Sequence, residues 1–144
     1  MPFFPTNVIV GTDGTPDSSH ALEAGAELAL ATGSPLHLLH VKLTSGTLHG
    51  RPMTPGQRER SEAEGHALLE REVANAQELG AEVEGTHLRF GEHLARVMTD
   101  TAAELGAGLL VIGEGRSGAL AQALTSGYST AAVRRSKGSV LVVR

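Results

Sequence analysis

Three stretches of this sequence carry residues whose types and spacing suit ligand chemistry. Gly11-Thr12-Asp13-Gly14 sets a carboxylate between two glycines just after the apolar run Val8-Ile9-Val10. A carboxylate at such a turn accepts hydrogen bonds from ribose hydroxyls or an adenine amine. The competing reading is an Asx turn, in which the side chain bonds its own backbone two residues on. His40-Val41-Lys42 ends a second apolar run, and Gly113-Glu114-Gly115-Arg116-Ser117-Gly118 follows a third, Leu109-Leu110-Val111-Ile112. Glycines at 113, 115 and 118 leave backbone N–H groups open to an anion, and a helix starting after them adds its dipole. A strand-to-helix turn requiring positive φ would use glycine equally well.

Other chemistries are closed. The chain has no cysteine, so disulfides, thiolate nucleophiles and cysteine zinc sites are excluded. Its seven histidines, at 20, 37, 40, 49, 66, 87 and 93, show no i, i+4 pair with an adjoining glutamate and read as scattered surface residues, so no metal site is expected. No GxxxxGK[ST] occurs, which excludes a P-loop. Twelve Lys and Arg against sixteen Asp and Glu give a net charge of -4 with no dense basic run, and one Tyr and three Phe offer few stacking surfaces; nucleic acid is not an expected partner. The start, Met1-Pro2-Phe3-Phe4-Pro5, lacks the basic region and apolar stretch of a secretory signal, and no run of about 18 apolar residues is present. The expectation is a cytoplasmic protein with no membrane span, its 144 residues forming one domain.

Those three stretches need a frame that brings them together. Val8-Ile9-Val10 reads as a buried strand stopped by Gly11. From about Ser18 to Thr32, Ala21, Leu22, Gly25, Leu28 and Ala29 recur at helical spacing, with Ser18 as N-cap and Gly33 as the stop. Leu36 to Val41 reads as a second strand, and the glycine- and proline-rich stretch 43–56 as a mobile flap. Gln57 to Leu79 predicts a long helix with Ala63, Ala67, Leu68, Val73, Ala76 and Leu79 on its apolar face and Arg71 and Glu72 off it. Glu82 to Arg89 alternates only loosely and reads as an edge strand. A helical stripe from Leu94 to Leu105, the strand Leu109–Ile112, a helix over 119–135 and a last strand Val140–Val143 complete the pattern. Five strands separated by helices predict an α/β fold with a parallel, doubly wound, Rossmann-like sheet and helices on both faces. In such sheets ligands bind beyond the carboxyl ends of the strands, where strand order reverses. That rule collects the three stretches into one crevice.

At this point the chain resembles the universal stress protein family over nearly its whole length. Val8-Ile9-Val10-Gly11-Thr12-Asp13-Gly14-Thr15 resembles the family's first strand and turn, Leu38-Leu39-His40-Val41 its second strand, and Leu109 to Gly113 the strand entering its nucleotide loop. Ala132-Val133-Arg134-Arg135-Ser136 with Ser139-Val140-Leu141-Val142-Val143 is similar to its last helix and terminal strand. Members that bind ATP carry Gly, two residues, Gly, nine residues, then Gly and Ser or Thr. In one register Gly113 matches the first glycine, Arg116 takes the second place and Ser126-Gly127 stand where Gly-Ser would be; in another, Gly115 and Gly118 fit and Gly127 follows one residue early.

The resemblance implies an adenine-nucleotide site, for ATP with Mg²⁺ as its companion. Gly11, Thr12, Asp13 and Val41 would hold adenine and ribose, and Ile112, Gly113, Gly115, Arg116, Gly118, Ser126, Gly127 and Tyr128 the phosphates and the walls around them. It also implies a homodimer paired through Val140–Val143. The alternative it leaves is a nucleotide-free homodimeric interaction protein, as in the subgroup without the glycine motif. Enzymatic readings find less support. The third strand ends Arg89-Phe90-Gly91 without the phosphoacceptor aspartate of a receiver domain, no Ser-Gly-Gly adjoins Asp13 as in ATP pyrophosphatases, and Glu114 is the only carboxylate in the glycine loop. Binding without catalysis is the expectation.

Overall fold

In a computed structural model, residues 2–44, 53–114 and 134–144 are described. They form strands β1 (Asn7–Gly11), β2 (Leu36–Leu43), β3 (Val83–Gly91), β4 (Ala107–Gly113) and β5 (Ser139–Val143), with helices α1 (Pro16–Thr32), α2 (Pro55–Glu78) and α3 (Leu94–Glu104). The strands make one five-stranded sheet in the order β3-β2-β1-β4-β5, parallel at every pairing. The chain moves outward from β1 to β3, then crosses back to β4 beside β1. The reversal of strand order therefore lies between Gly11 and Gly113, the ends of β1 and β4.

The apolar runs become central strands because a parallel sheet is covered on both faces. Val8, Ile9, Val10, Leu38, Leu39, Leu110, Val111 and Ile112 are at most 2% exposed. Alternation divides them between two clusters. Val8, Val10, Leu36, Leu38 and Val111 pack with Ala21, Leu22, Ala26 and Ala29 of α1 and Leu69 and Ala76 of α2. Ile9, Leu39, Val41, Leu110 and Ile112 pack with Leu94, Met98 and Ala102 of α3. One sheet thus separates two apolar layers.

Several boundaries move for identifiable reasons. Helix α1 begins before Ser18 because Thr15 is its N-cap, accepting from the Ser18 amide, and Pro16 supplies the preset φ of the first turn; Ser18 itself is buried. Gly33 ends the helix in the left-handed conformation, φ 65°, as the sequence predicts. Strand β2 runs on to Leu43, and α2 starts at Pro55 with a capping box between Thr54 and Gln57. The predicted flap thereby loses both ends to regular structure, and its centre, 45–52, lies outside the described residues.

The buried stripe of α2 differs from the apolar one. Ser61, Gly65, Leu69, Glu72 and Ala76 face inward, whereas Ala63, Ala67 and Leu79 are exposed. Gly65 is buried because Leu88 sits over it; a Cβ there would lie 2.6 Å from Leu88 Cδ1. Strand β3 is an edge strand as expected, but its alternation slips. Leu36 pairs with Val83 and His37 with Gly85, so Glu84 is an extra, bulged residue. Of the helix predicted over 119–135, only Arg134 and Arg135 are described, and both are helical.

Candidate functional site

The C-terminal end of β1 is fixed by bonds from three elements. Thr12 donates its N–H to Leu39 O of β2 at 2.9 Å and is 3% exposed. Its carbonyl accepts from His40 Nδ1, also of β2, at 2.7 Å. Because a carbonyl only accepts, the His40 proton sits on Nδ1. Its hydroxyl donates to Glu72 Oε2 of α2 at 3.2 Å and lies 3.2 Å from Ser18 Oγ of α1. Glu72, read from the sequence as lying off the buried face, is 6% exposed, and its Oε1 accepts from Asn75 Nδ2 at 3.3 Å.

Asp13 follows immediately. Its Oδ1 accepts from the Thr15 N–H at 3.0 Å and the Thr15 hydroxyl at 2.5 Å, so the Asx turn forms and the carboxylate caps the capping residue. Its N–H reaches Ser18 Oγ at 3.4 Å. Asp13 Oδ2 is shielded from solvent and has no hydrogen-bond partner among the described residues. Gly14 takes φ 78°, and the space where its side chain would stand is occupied by Leu68 Cδ1 at 3.1 Å and Arg71 Nη2 at 3.5 Å. A residue with a side chain would meet both strain and contact there.

Across the reversal, Gly113 lies against the first turn of α1. A Cβ at Gly113 would stand 2.5 Å from Asp17 O, so glycine is needed for close approach and the backbone conformation is ordinary. Gly11 closes on Ile112 Cγ2 and Met98 Sδ, which a Cβ would meet at 3.3 and 3.4 Å. Val41 and Ile112 lie in the layer under α3. Gly11, Thr12, Asp13, Ile112 and Gly113 are thus brought together, with Val41 beyond them toward the end of β2. Glu114 donates its N–H to Val143 O at 2.9 Å, and its carboxylate is 3.9 Å from Arg144 Nε. Gly115, Arg116, Gly118, Ser126, Gly127 and Tyr128 lie outside the described residues.

Histidine placement departs from the surface expectation. His40 and His37 are 7% and 8% exposed. Burial holds the His40 imidazole below the usual histidine range and Lys42 adds to this, while the Thr12 carbonyl and Asp13 work in the other direction. On the opposite face of β2, His37 Nδ1 meets His87 Nε2 at 3.1 Å. His37 Nε2 stands 3.5 Å from Glu84 Oε2 without hydrogen-bond geometry. Burial first, then His37 and Arg89, lowers the His87 pKa against a pull from Glu104. The sequence hid these placements because each partner lies on another segment. Among the described residues no group of three or more His, Asp or Glu is set to hold a metal ion, and no helix is long and apolar enough to cross a membrane.

Solved structures share this architecture. The universal stress protein UspA from Lactobacillus plantarum superposes with a TM-score of 0.75 at 17% identity, covering 96% of this chain and 97% of that one. A universal stress protein in complex with cAMP gives 0.68 at 24% identity, with 96% of each chain covered. The universal stress protein from Archaeoglobus fulgidus in complex with dAMP gives 0.67 at 20% identity over 99% of this chain and 100% of its own. No curated protein matches the sequence. The model of the universal stress protein family matches residues 5–144, nearly the whole of a chain whose strands and helices stand in the order those motifs led one to expect, and this protein belongs to that family.

Proposed function

We propose that this protein binds an adenine nucleotide at the end of β1 and serves as a ligand-responsive, non-enzymatic stress protein of the cytoplasm. The observation that carries the reading is Asp13 Oδ2, a shielded carboxylate oxygen without a partner among the described residues. Leaving a polar atom in that state is costly, and a donor from a ligand removes the cost. The exocyclic amine of adenine and the hydroxyls of ribose are such donors. The position agrees, since Asp13 stands at the reversal of strand order, where sheets of this type take ligands. Relatives of the same fold hold cAMP and dAMP, which supports an adenylate as the common denominator. ATP with Mg²⁺ is the fuller form of the same reading, with the glycine loop after β4 on its phosphates.

Thermal unfolding of the purified protein with AMP, with ATP, and with ATP and Mg²⁺ tests it. A ligand at 100 times its Kd stabilises by about 2.7 kcal/mol, so binding registers as a clear upward shift. Asp13→Asn replaces the free acceptor by a donor and is expected to weaken AMP at least about tenfold, or about 1.4 kcal/mol. A wild-type protein unmoved by every nucleotide is the alternative, a nucleotide-free interaction protein, and ends the proposal.

The reading includes a homodimer through β5. Leu141 and Val142 of this edge strand are 37% and 40% exposed, an apolar edge of the kind that proteins cover. Light scattering is expected to give twice the chain mass for wild type and the single mass for Leu141→Lys. A wild-type monomer removes the dimer from the proposal.

A further inference from the structure

We infer that Glu72 of α2 is the positioning residue that aims the Asp13 carboxylate, an inference that rests on the nucleotide reading for its purpose. Glu72 is 6% exposed, and its hydrogen bonds among the described residues come from two neutral donors, the Thr12 hydroxyl and the Asn75 side-chain amide. Neither donor carries a charge, so no ion pair among the described residues offsets the desolvation of the carboxylate. A buried carboxylate kept on these terms therefore serves geometry better than stability.

Its reach explains what geometry is served. Thr12 has one hydroxyl proton, and Glu72 accepts it. That leaves the Thr12 oxygen to accept from the Gly14 N–H at 3.5 Å and keeps the Thr12 proton off Ser18 Oγ, which lies 3.2 Å away. Ser18 Oγ is thereby left to receive the Asp13 N–H at 3.4 Å while donating to Thr15 O at 3.0 Å. Thr15 in turn holds Asp13 Oδ1. Bonds from Glu72 through Thr12 to the Gly14 N–H, and from Ser18 and Thr15 to Asp13 itself, hold the turn on both sides, and Oδ2 is the carboxylate oxygen they leave for a ligand. Without Glu72, the Thr12 proton has Ser18 Oγ as its nearest acceptor, where it competes with the Asp13 N–H. Affinity depends on such preorganisation, because a ligand that must order its own site loses part of the interaction.

The test compares Glu72→Met with Glu72→Gln and with Thr12→Val, reading AMP affinity by calorimetry and stability by thermal unfolding. Glu72→Met is expected to melt close to the wild-type temperature, because it keeps the volume and the Thr12 hydroxyl can turn to Ser18 Oγ, yet to bind AMP about tenfold or more weakly. Glu72→Gln keeps a carbonyl oxygen for Thr12 and is expected to stay within about threefold of wild type. Thr12→Val should match Glu72→Met, and the two changes together should be no worse than either alone. Glu72→Met binding AMP as wild type does overturns the inference, as does a loss of binding that merely follows a loss of melting temperature. Amide hydrogen exchange without nucleotide separates the two layers of the reading. Faster exchange in Glu72→Met confined to the Asp13–Thr15 turn, in a protein whose wild type ignores AMP, upholds the positioning role and rejects the nucleotide; unchanged exchange there rejects the positioning role itself.

Discussion

Strand β2 carries two buried histidines three positions apart, and they sit in contrasting surroundings. His40, facing α1 and α2, bonds to the carbonyl of Thr12, whose N–H is held by β2 and whose hydroxyl meets Glu72 and Ser18, residues from two helices. Apart from Asp13 Oδ2, polar groups there are bonded across long stretches of sequence, Thr12 and Glu72 being 60 residues apart. His37, facing α3, leans on His87 of the adjacent edge strand and on a bulged Glu84 that is 62% exposed, and its Nε2 has no hydrogen bond among the described residues. The first cluster is cross-braced, and the second hangs from one neighbour at the rim of the sheet. Packed, fully bonded networks resist displacement, whereas partly bonded ones at edges deform. The comparison teaches where this fold invests its rigidity: at the carboxyl end of β1, beside Asp13.

Adding one methyl group to a glycine in each region gives the largest contrast. Gly113→Ala would set a Cβ 2.5 Å from Asp17 O and 2.9 Å from Asp17 C, backbone atoms of the first turn of α1. Backbone cannot rotate aside, so α1 must shift, carrying Ser18 and its hydrogen bonds with it. A loss of about 3 kcal/mol, the upper end for overpacking, is expected in urea unfolding, together with loss of AMP binding. Gly85→Ala meets only the side-chain nitrogens of His37 at 3.0 Å and His87 at 3.3 Å. Rings can turn, and alanine recovers about 0.4–1 kcal/mol by stiffening the unfolded chain. Its net loss should stay below about 1 kcal/mol with AMP binding intact. Equal losses in the two variants would break the distinction between a braced and a yielding region.

The same contrast decides how much could be read beforehand. Val8-Ile9-Val10 and Leu109–Ile112 are legible as central strands because burial on both faces leaves an unbroken apolar run, a signal that needs no partner. Gly33 is legible because a left-handed stop suits glycine alone of the residues there. The Asp13 turn is legible as a place, though not as a half-used carboxylate, since which oxygen Thr15 takes is a matter of coordinates. The buried stripe of α2 is illegible by hydrophobicity, because Ser61, Gly65 and Glu72 occupy it while Ala63 and Ala67 face water. Two of these inward residues are explained by something distant: Glu72 by Thr12, Gly65 by Leu88. The bulge at Glu84 is hidden for a related reason, since one extra residue only shows against the strand beside it.

Acid titration should sharpen the comparison further, with a smaller effect. Both His40 and His87 have pKa values lowered from 6.5, chiefly by burial. The unfolded chain therefore takes up protons at a pH where the folded chain does not, and stability rises with pH through that window. It is fully present above the unfolded value of 6.5, and it is lost as pH falls through the lowered folded values. Charging His40 threatens the braced region, because the ring is buried and its Nδ1 already serves Thr12. Charging His87 sets a cation beside His37 and Arg89, but it lies at an edge strand with Glu104 near, so solvent and movement relieve much of the strain. His40→Gln is thus expected to flatten the acid limb of a plot of unfolding free energy against pH more than His87→Gln does. Were His87→Gln to flatten it more, the yielding region would be the one that governs acid stability, and the order of rigidity argued for the two faces of β2 would be reversed.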